Sequence, residues 1–282
     1  KKFEKKKKNK NKKKQNSDIT KNLIKEKNEV ILSLDKSYKD TFSKKIVKKL
    51  KKINSILLIG MGGSILGTKA IYKFLNPKNK KFTFVDNFSN IPLHSDNKKK
   101  ITLIISKSGN TLETISNSNI LINKKNTNIF ITENKKSYLM ELAQKLKSEI
   151  IHHNNFIGGR YSVLSEVGIL PAYLMGINII KLRSKILESL NNQNKNFLKK
   201  STIKIASLMN SKKFDNLIFL NYFPELEKFL YWSQQLIAES LGKKNKGFLP
   251  VVSNVPKDHH SLLQLYLDGP KNKLFYIFSF DK

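Results

Sequence analysis

The chain has 282 residues, no cysteine and a formal net charge of +33 from 54 Lys+Arg against 21 Asp+Glu. The lack of cysteine excludes disulfides and thiolate metal sites, and no uncharged apolar run is long enough to predict a membrane helix. The positive charge is nearly all lysine, spread along the chain amid much asparagine, without zinc-finger spacing or an aromatic RNA-binding motif. Specific nucleic-acid recognition is therefore not expected. Salt-sensitive polyanion binding is expected, and the same field favours capture of an acidic substrate.

Residues 1–16 form a low-complexity lysine tract expected to be disordered, and this tract lacks the apolar segment of a signal peptide, so a cytoplasmic setting is expected. Over 17–54, apolar residues recur at helical spacing (Ile19, Leu23, Val30, Leu34, then Phe42, Ile46, Leu50), which predicts two N-terminal helices. A first α/β unit spans 55–160. Its strands are predicted at 55–59, 82–86, 101–105, 128–132 and 149–152, with helices near 64–75, 111–122 and 137–146. Continuous apolar strands alternating with helices predict a parallel sheet covered on both faces, in a three-layer α/β/α arrangement. A helical connection follows at 161–212. A partial second unit covers 213–282, with a strand at 216–221, a helix from about 224 to 241 and strand-like runs at 248–252 and 273–279.

Two loops at strand ends carry chemistry. Ser106-Lys107-Ser108-Gly109-Asn110-Thr111 follows the run Ile101–Ile105 and leads into a helix, where free N–H groups, the helix dipole and hydroxyls make an anion site. Gly60-Met61-Gly62-Gly63-Ser64 follows the first strand in the same way. It is not the dinucleotide fingerprint, because Ile65 stands where the third glycine belongs, and it is not a phosphate-binding NTPase loop, because no Gly-Lys-Ser/Thr follows. A small phosphorylated ligand is the expectation. Taken alone, Ser106 and Thr111 read as helix caps and Glu239 as a solvated carboxylate, while a structural ion pair is the alternative for Arg160.

Five motifs in order shift that balance: Gly60–Ser64; Ser106–Thr114 (S-K-S-G-N-T-L-E-T); Gly158–Gly168 (G-G-R-Y-S-V-L-S-E-V-G); Ala238–Lys243 (A-E-S-L-G-K); and Asp258–Pro270 (D-H-H-S-L-L-Q-L-Y-L-D-G-P). Together, over about residues 40–280, the chain resembles the glucose-6-phosphate isomerase family of the sugar isomerase (SIS) fold. The resemblance implies two subdomains, the second truncated, and a metal-independent and cofactor-free aldose–ketose isomerisation of glycolysis and gluconeogenesis. That reaction passes through a cis-enediol and needs one carboxylate base, a cation beside the enediolate oxygens and a phosphate anchor. The resemblance implies Glu239 as base, Arg160 as the enediolate cation and His260 as the ring-opening residue supplied by the neighbouring subunit of a homodimer. It also implies Ser106, Lys107, Ser108 and Thr111 around the phosphate, with Gly62, Gly63, Ser64 and Gly159 along the sugar.

Glu239 closes a helix, and partial desolvation near the negative dipole end would raise its pKa toward a useful base. A guanidinium at 160 stays protonated and cannot compete as a base. His259 is adjacent to His260, which leaves a one-place ambiguity. A further family lysine belongs far beyond His260, whereas this sequence ends twenty-two residues past it (282 − 260). A C-terminally incomplete second unit is therefore expected. The competing readings are an isomerase acting on both glucose and mannose 6-phosphates, a non-catalytic sugar-phosphate-binding protein of the same fold, and a basic nucleic-acid binder.

Overall fold

The computed structural model describes residues 28–88, 99–189 and 192–280. The expected lysine tail at 1–16 and most of the first N-terminal helix lie outside the described residues. The described residues begin with two short helices, α1 (Glu29–Leu32) and α2 (Lys44–Leu50), capped by the side chains of Asn28 and Ser43. Each cap accepts one of the amide protons that a helix start leaves unpaired.

The first unit runs β1 (Ser55–Gly60), α3 (Leu66–Leu75), β2 (Lys81–Val85), β3 (Lys100–Ile105), α4 (Leu112–Leu121), β4 (Thr127–Thr132), α5 (Tyr138–Lys145) and β5 (Glu149–His152). Its five strands lie in the order β2-β1-β3-β4-β5 and all pair in parallel. Alternate strand residues feed two cores: Leu58, Leu103 and Ile131 face one side, while Ile59, Ile104 and Phe130 face the other. Each such fully buried side chain contributes about 1.5–3 kcal/mol. The near-continuous apolar strands are thus explained by burial on both faces.

A connection of α6 (Glu166–Leu174), α7 (Ile179–Ser189) and α8 (Asn192–Asn210) follows. Helix α6 is buried along nearly its whole length and packs under the first sheet, from Val167 to Leu174. The second unit contains β6 (Asn216–Asn221), α9 (Glu227–Leu241), β7 (Leu249–Asn254), α10 (His259–Leu267) and β8 (Lys273–Phe278). Its three strands are parallel in the order β7-β6-β8. Helix α10 was not foreseen from sequence, where the stretch after β7 carried no assigned element. Helix α9 packs across α3 and so joins the two units.

Strand order reverses at β1/β3: β2 lies to one side of β1, and the chain then crosses to build β3, β4 and β5 on the other. In open parallel sheets such a switch point leaves a crevice outside the carboxyl ends of the strands. Both chemistry-bearing loops leave from this place, with Gly60 and Ile105 in register.

Candidate active site

The first loop forms a 3-10 turn, Gly62–Ser64, whose glycines have separate jobs. Gly62 adopts φ +51°, and a Cβ there would lie 2.9 Å from Gln235 Nε2. At Gly63 a Cβ would sit 2.2 Å from both the carbonyl carbon and oxygen of Gly159 and 2.6 Å from the Arg160 nitrogen. Only a residue without a side chain lets the two backbones approach this closely. Ser162 ties them further, its hydroxyl donating to the carbonyls of Gly159 (2.7 Å) and Gly63 (3.2 Å).

This approach brings the turn Gly159–Leu164 over the end of α9. Arg160 Nε donates to Ser240 Oγ at 2.9 Å, and Arg160 Nη1 donates to Glu239 Oε1 at 3.3 Å. The Tyr161 hydroxyl shares Ser240 Oγ at 2.9 Å, and the Arg160 guanidinium lies 4.5 Å from the Tyr161 ring centroid. Burial acts to raise the Tyr161 pKa, but Ser240 and the Arg160 charge outweigh it and hold the phenol below its usual value. The Glu239 side chain is 51% exposed. This carboxylate, at the solvent-facing end of α9, is therefore not desolvated as expected, and among the described residues its ion-pair partner is Arg160. Gln235 sits one helical turn before Glu239, on the same face. Its Oε1 is buried without a hydrogen-bond partner among the described residues. Sequence reading missed Gln235, although the i, i−4 spacing from Glu239 was available to find it.

The second loop is built as an open helix start. Thr111 precedes α4 but its side chain makes no capping bond. Its hydroxyl instead lies 2.9 Å from the buried Ser106 Oγ. Ser108 accepts from the Asn110 amide at 3.2 Å and is exposed. Gly109, at φ +69°, lets the loop lie against Ser137, and Leu139 N–H donates to its carbonyl. The ordinary Ser/Thr cap thus does not account for this loop, and the first-turn amides of α4 face no side-chain cap. Lys107 is engaged otherwise: its ammonium donates to the Asn155 carbonyl at 2.8 Å and pairs with Glu133 at 3.2 Å, while Lys135 meets the other Glu133 oxygen at 3.1 Å. Burial pushes the Glu133 carboxyl up, but the two ammonium groups outweigh this and hold it below the ordinary carboxylate range. The cluster of two cations and one anion keeps a net positive charge beside the loop.

His260 lies elsewhere. It is exposed at the start of α10, six residues past Asn254 (260 − 254), at the carboxyl edge of the second sheet. Glu227, at the first turn of α9, reaches Asn254 at that same edge, with Asn254 Nδ2 3.5 Å from its Oε1. Glu239 is twelve residues further along α9 (239 − 227), about 18 Å at the helical rise. One chain therefore joins Arg160 to Glu239 and leaves His260 at the far end of α9. His259 packs edge-on against Tyr222, with centroids 6.0 Å apart. A cleft of about 520 Å3 between α3 and α9 is lined by Lys69, Asp86, Gln235 and Ala238. Ala238, next to Glu239 in sequence, belongs to a motif read from sequence, and none of the candidate site residues lines the cleft. Among the described residues no cluster of His, Asp and Glu is arranged to hold a metal ion.

A parallel sheet with a Ser/Gly-rich loop at its switch point, joined through α9 to a second parallel sheet, is the SIS fold. Solved structures with this fold include a hypothetical protein from Thermus thermophilus, with a TM-score of 0.70 and 26% identity, covering 83% of this chain and 62% of that one. They also include a glucose-6-phosphate isomerase from Chlamydia trachomatis, with a TM-score of 0.67 and 22% identity, covering 84% and 52%. The family model for phosphoglucose isomerase matches residues 6–248. The curated glucose-6-phosphate isomerase of Methanocaldococcus jannaschii is 37% identical over 260 residues, covering 84% of this chain and 63% of that protein. That of Campylobacter jejuni is 34% identical over 247 residues, covering 78% and 59%. The chain belongs to the phosphoglucose isomerase family. It spans less than two thirds of the length of these curated relatives.

Proposed function

We propose that this protein interconverts glucose 6-phosphate and fructose 6-phosphate through a cis-enediol, in the cytoplasm, as a step of glycolysis and gluconeogenesis. The observation that carries this reading is the Arg160–Glu239 contact, formed between a turn of the first unit and the end of a helix of the second. A carboxylate that moves a proton between adjacent carbons needs a permanent cation beside the oxygens that become negative. Arg160 supplies it, and Ser240 fixes its direction. Substrate phosphate is assigned to the amides at the start of α4 with Ser106, Ser108 and Thr111, while Lys107 contributes through the Glu133 cluster. Gly62, Gly63, Ser64 and Gly159 border the sugar. On this reading Glu239 abstracts the proton at one carbon and returns it to the next, while Arg160 holds the enediolate.

We assign His260 to the site of a neighbouring subunit in a homodimer. Its place at the opposite end of α9 from Glu239 supports this, since one chain does not bring them together. The test is NMR of the chain with fructose 6-phosphate in deuterated water. Deuterium is expected to enter the sugar with the unmutated protein and not with Glu239→Gln, whose sugar-phosphate affinity stays within about threefold because the phosphate anchor is untouched. Equal loss of binding and exchange in Glu239→Gln removes the base assignment.

A further inference from the structure

The chain has two arginines, Arg160 and Arg183, so that 52 of its 54 basic residues are lysine (54 − 2). In such a chain a guanidinium marks a place that needs a planar fork of donors rather than a point charge. One arginine faces Glu239. The other is buried behind the turn that carries the first, with its side chain 4% exposed. Arg183 Nη2 donates to Asp40 Oδ1 at 2.8 Å and to the Leu164 carbonyl at 3.1 Å, and Nη1 reaches the Tyr38 carbonyl at 3.4 Å. Its guanidinium lies 5.1 Å from the Tyr38 ring centroid. The Tyr38 hydroxyl in turn donates to Glu166 Oε1 at 3.1 Å, and the buried His153 ring faces the other Glu166 oxygen at 3.5 Å. His153 Nε2 is also 3.0 Å from the Ile157 carbonyl. The turn Gly159–Leu164 is therefore gripped just before its first residue, through Ile157, and at its last, through Leu164.

We propose that Arg183 is a positioning residue for Arg160: with Tyr38, Asp40 and Glu166 it fixes the carboxyl end of the Gly159–Leu164 turn, so that the Arg160 guanidinium meets Glu239 and Ser240. A lysine ammonium at 183 can stand where Nη2 does, between Asp40 and Leu164, but it loses the Nη1 bond to the Tyr38 carbonyl and the planar stack on the Tyr38 ring that hold it against Leu164. The slack passes four residues back along the turn to Arg160 (164 − 160). A group that only stabilised the fold would lower the melting temperature and leave the direction of Arg160 unchanged.

The kinetic arm of the test rests on the isomerisation proposed above, and the spectroscopic arm does not. With 15N-arginine labelling the whole chain gives two Nε–H signals, assigned by Arg160→Lys. The Arg160 signal, set by its bond to Ser240, is expected to shift or broaden in Arg183→Lys and in Tyr38→Phe. With fructose 6-phosphate, Arg183→Lys is expected to lose about tenfold in kcat with KM changed less than about threefold, as for a small misplacement of a catalytic group. In the Arg160→Lys background the same change is expected to add no further loss. An unmoved Arg160 signal, or losses that multiply in the double variant, overturns the positioning role. Should Arg183→Lys fail to fold, Tyr38→Phe, which keeps the ring under Arg183, decides by the same two readouts. A chain with no isomerisation at all counts against the isomerase reading, and the Arg160 signal then decides the positioning role by itself.

Discussion

Ser240 Oγ accepts the Arg160 Nε–H at 2.9 Å and shares a hydrogen bond with the Tyr161 hydroxyl at 2.9 Å, so a single hydroxyl orients the cation that faces Glu239. Replacing Ser240 by Ala leaves the charge of Arg160 in place and removes its direction. The expected outcome is a fall of about tenfold in kcat with a smaller change in KM, since donor alignment matters more in the transition state than in the ground state. Steady-state kinetics with fructose 6-phosphate checks this, and a change confined to KM rejects it. Glu133 gives a second residue-scale prediction, in pH. Lys135 and Lys107 hold its carboxyl low in the folded chain. Its ionised form therefore contributes stability that is fully present above the unfolded-state pKa and is lost as pH falls through the lower folded value. Glu133→Gln should cost about 1.5–3 kcal/mol near neutral pH, the scale of a charge-assisted hydrogen bond. The gap to the parent should begin to close as pH drops past about 4.3, the ordinary glutamate value. Urea melts at a series of pH values measure it, and a gap that stays constant in acid rejects the linkage.

At the scale of elements, the contact between the two glycine turns separates fold from ligand. A Cβ at Gly63 would strike the Gly159 backbone at 2.2 Å, whereas one at Gly159 would meet nothing within 4 Å. Gly63→Ala should destabilise the chain by about 1–3 kcal/mol, the usual cost of overpacking, and pull Arg160 off Glu239 with it. Gly159→Ala should melt within about 0.5 kcal/mol of the parent while weakening sugar-phosphate binding, because its methyl enters open space beside the proposed sugar. Equal melting temperatures for the two variants would break this distinction. The sheet strands and the loop-to-helix transitions were legible in the sequence, since Ile101–Ile105 and Leu217–Leu220 are continuous apolar runs that end in polar or glycine-rich turns. Helix α10 was not. Its residues from His259 to Leu267 contain Leu and Tyr without a strong apolar stripe, and none of them is buried, so burial left little periodicity to read. The grip of Glu133 on Lys107 and that of Arg183 on Leu164 were also illegible, because they join residues 26 and 19 positions apart in sequence (133 − 107; 183 − 164) through tertiary packing alone. The loss of Thr111 as a cap had a similar cause, since its hydroxyl turns to Ser106 only once β3 fixes that residue.

On the scale of the whole molecule, Glu239 and His260 lie toward opposite ends of α9, and the homodimer proposed above makes that separation testable. Glu239→Gln and His260→Asn should each be nearly inactive alone, while co-expression should restore about a quarter of the parent activity, since half the dimers are mixed and each holds one intact site. No recovery from a mixture shown to contain mixed dimers would remove the shared site. Ile277, on the edge strand β8 of the second sheet, is 67% exposed. Helix α9 begins at the edge where Glu227 reaches Asn254 and finishes at the carboxylate that meets Arg160. Mechanically it is a stiff strut about 18 Å long between those two points. A load applied at the far edge of the second sheet travels along it with little absorbed in bending, so tilting or sliding that sheet would be felt at Glu239 as a change in reach toward Arg160.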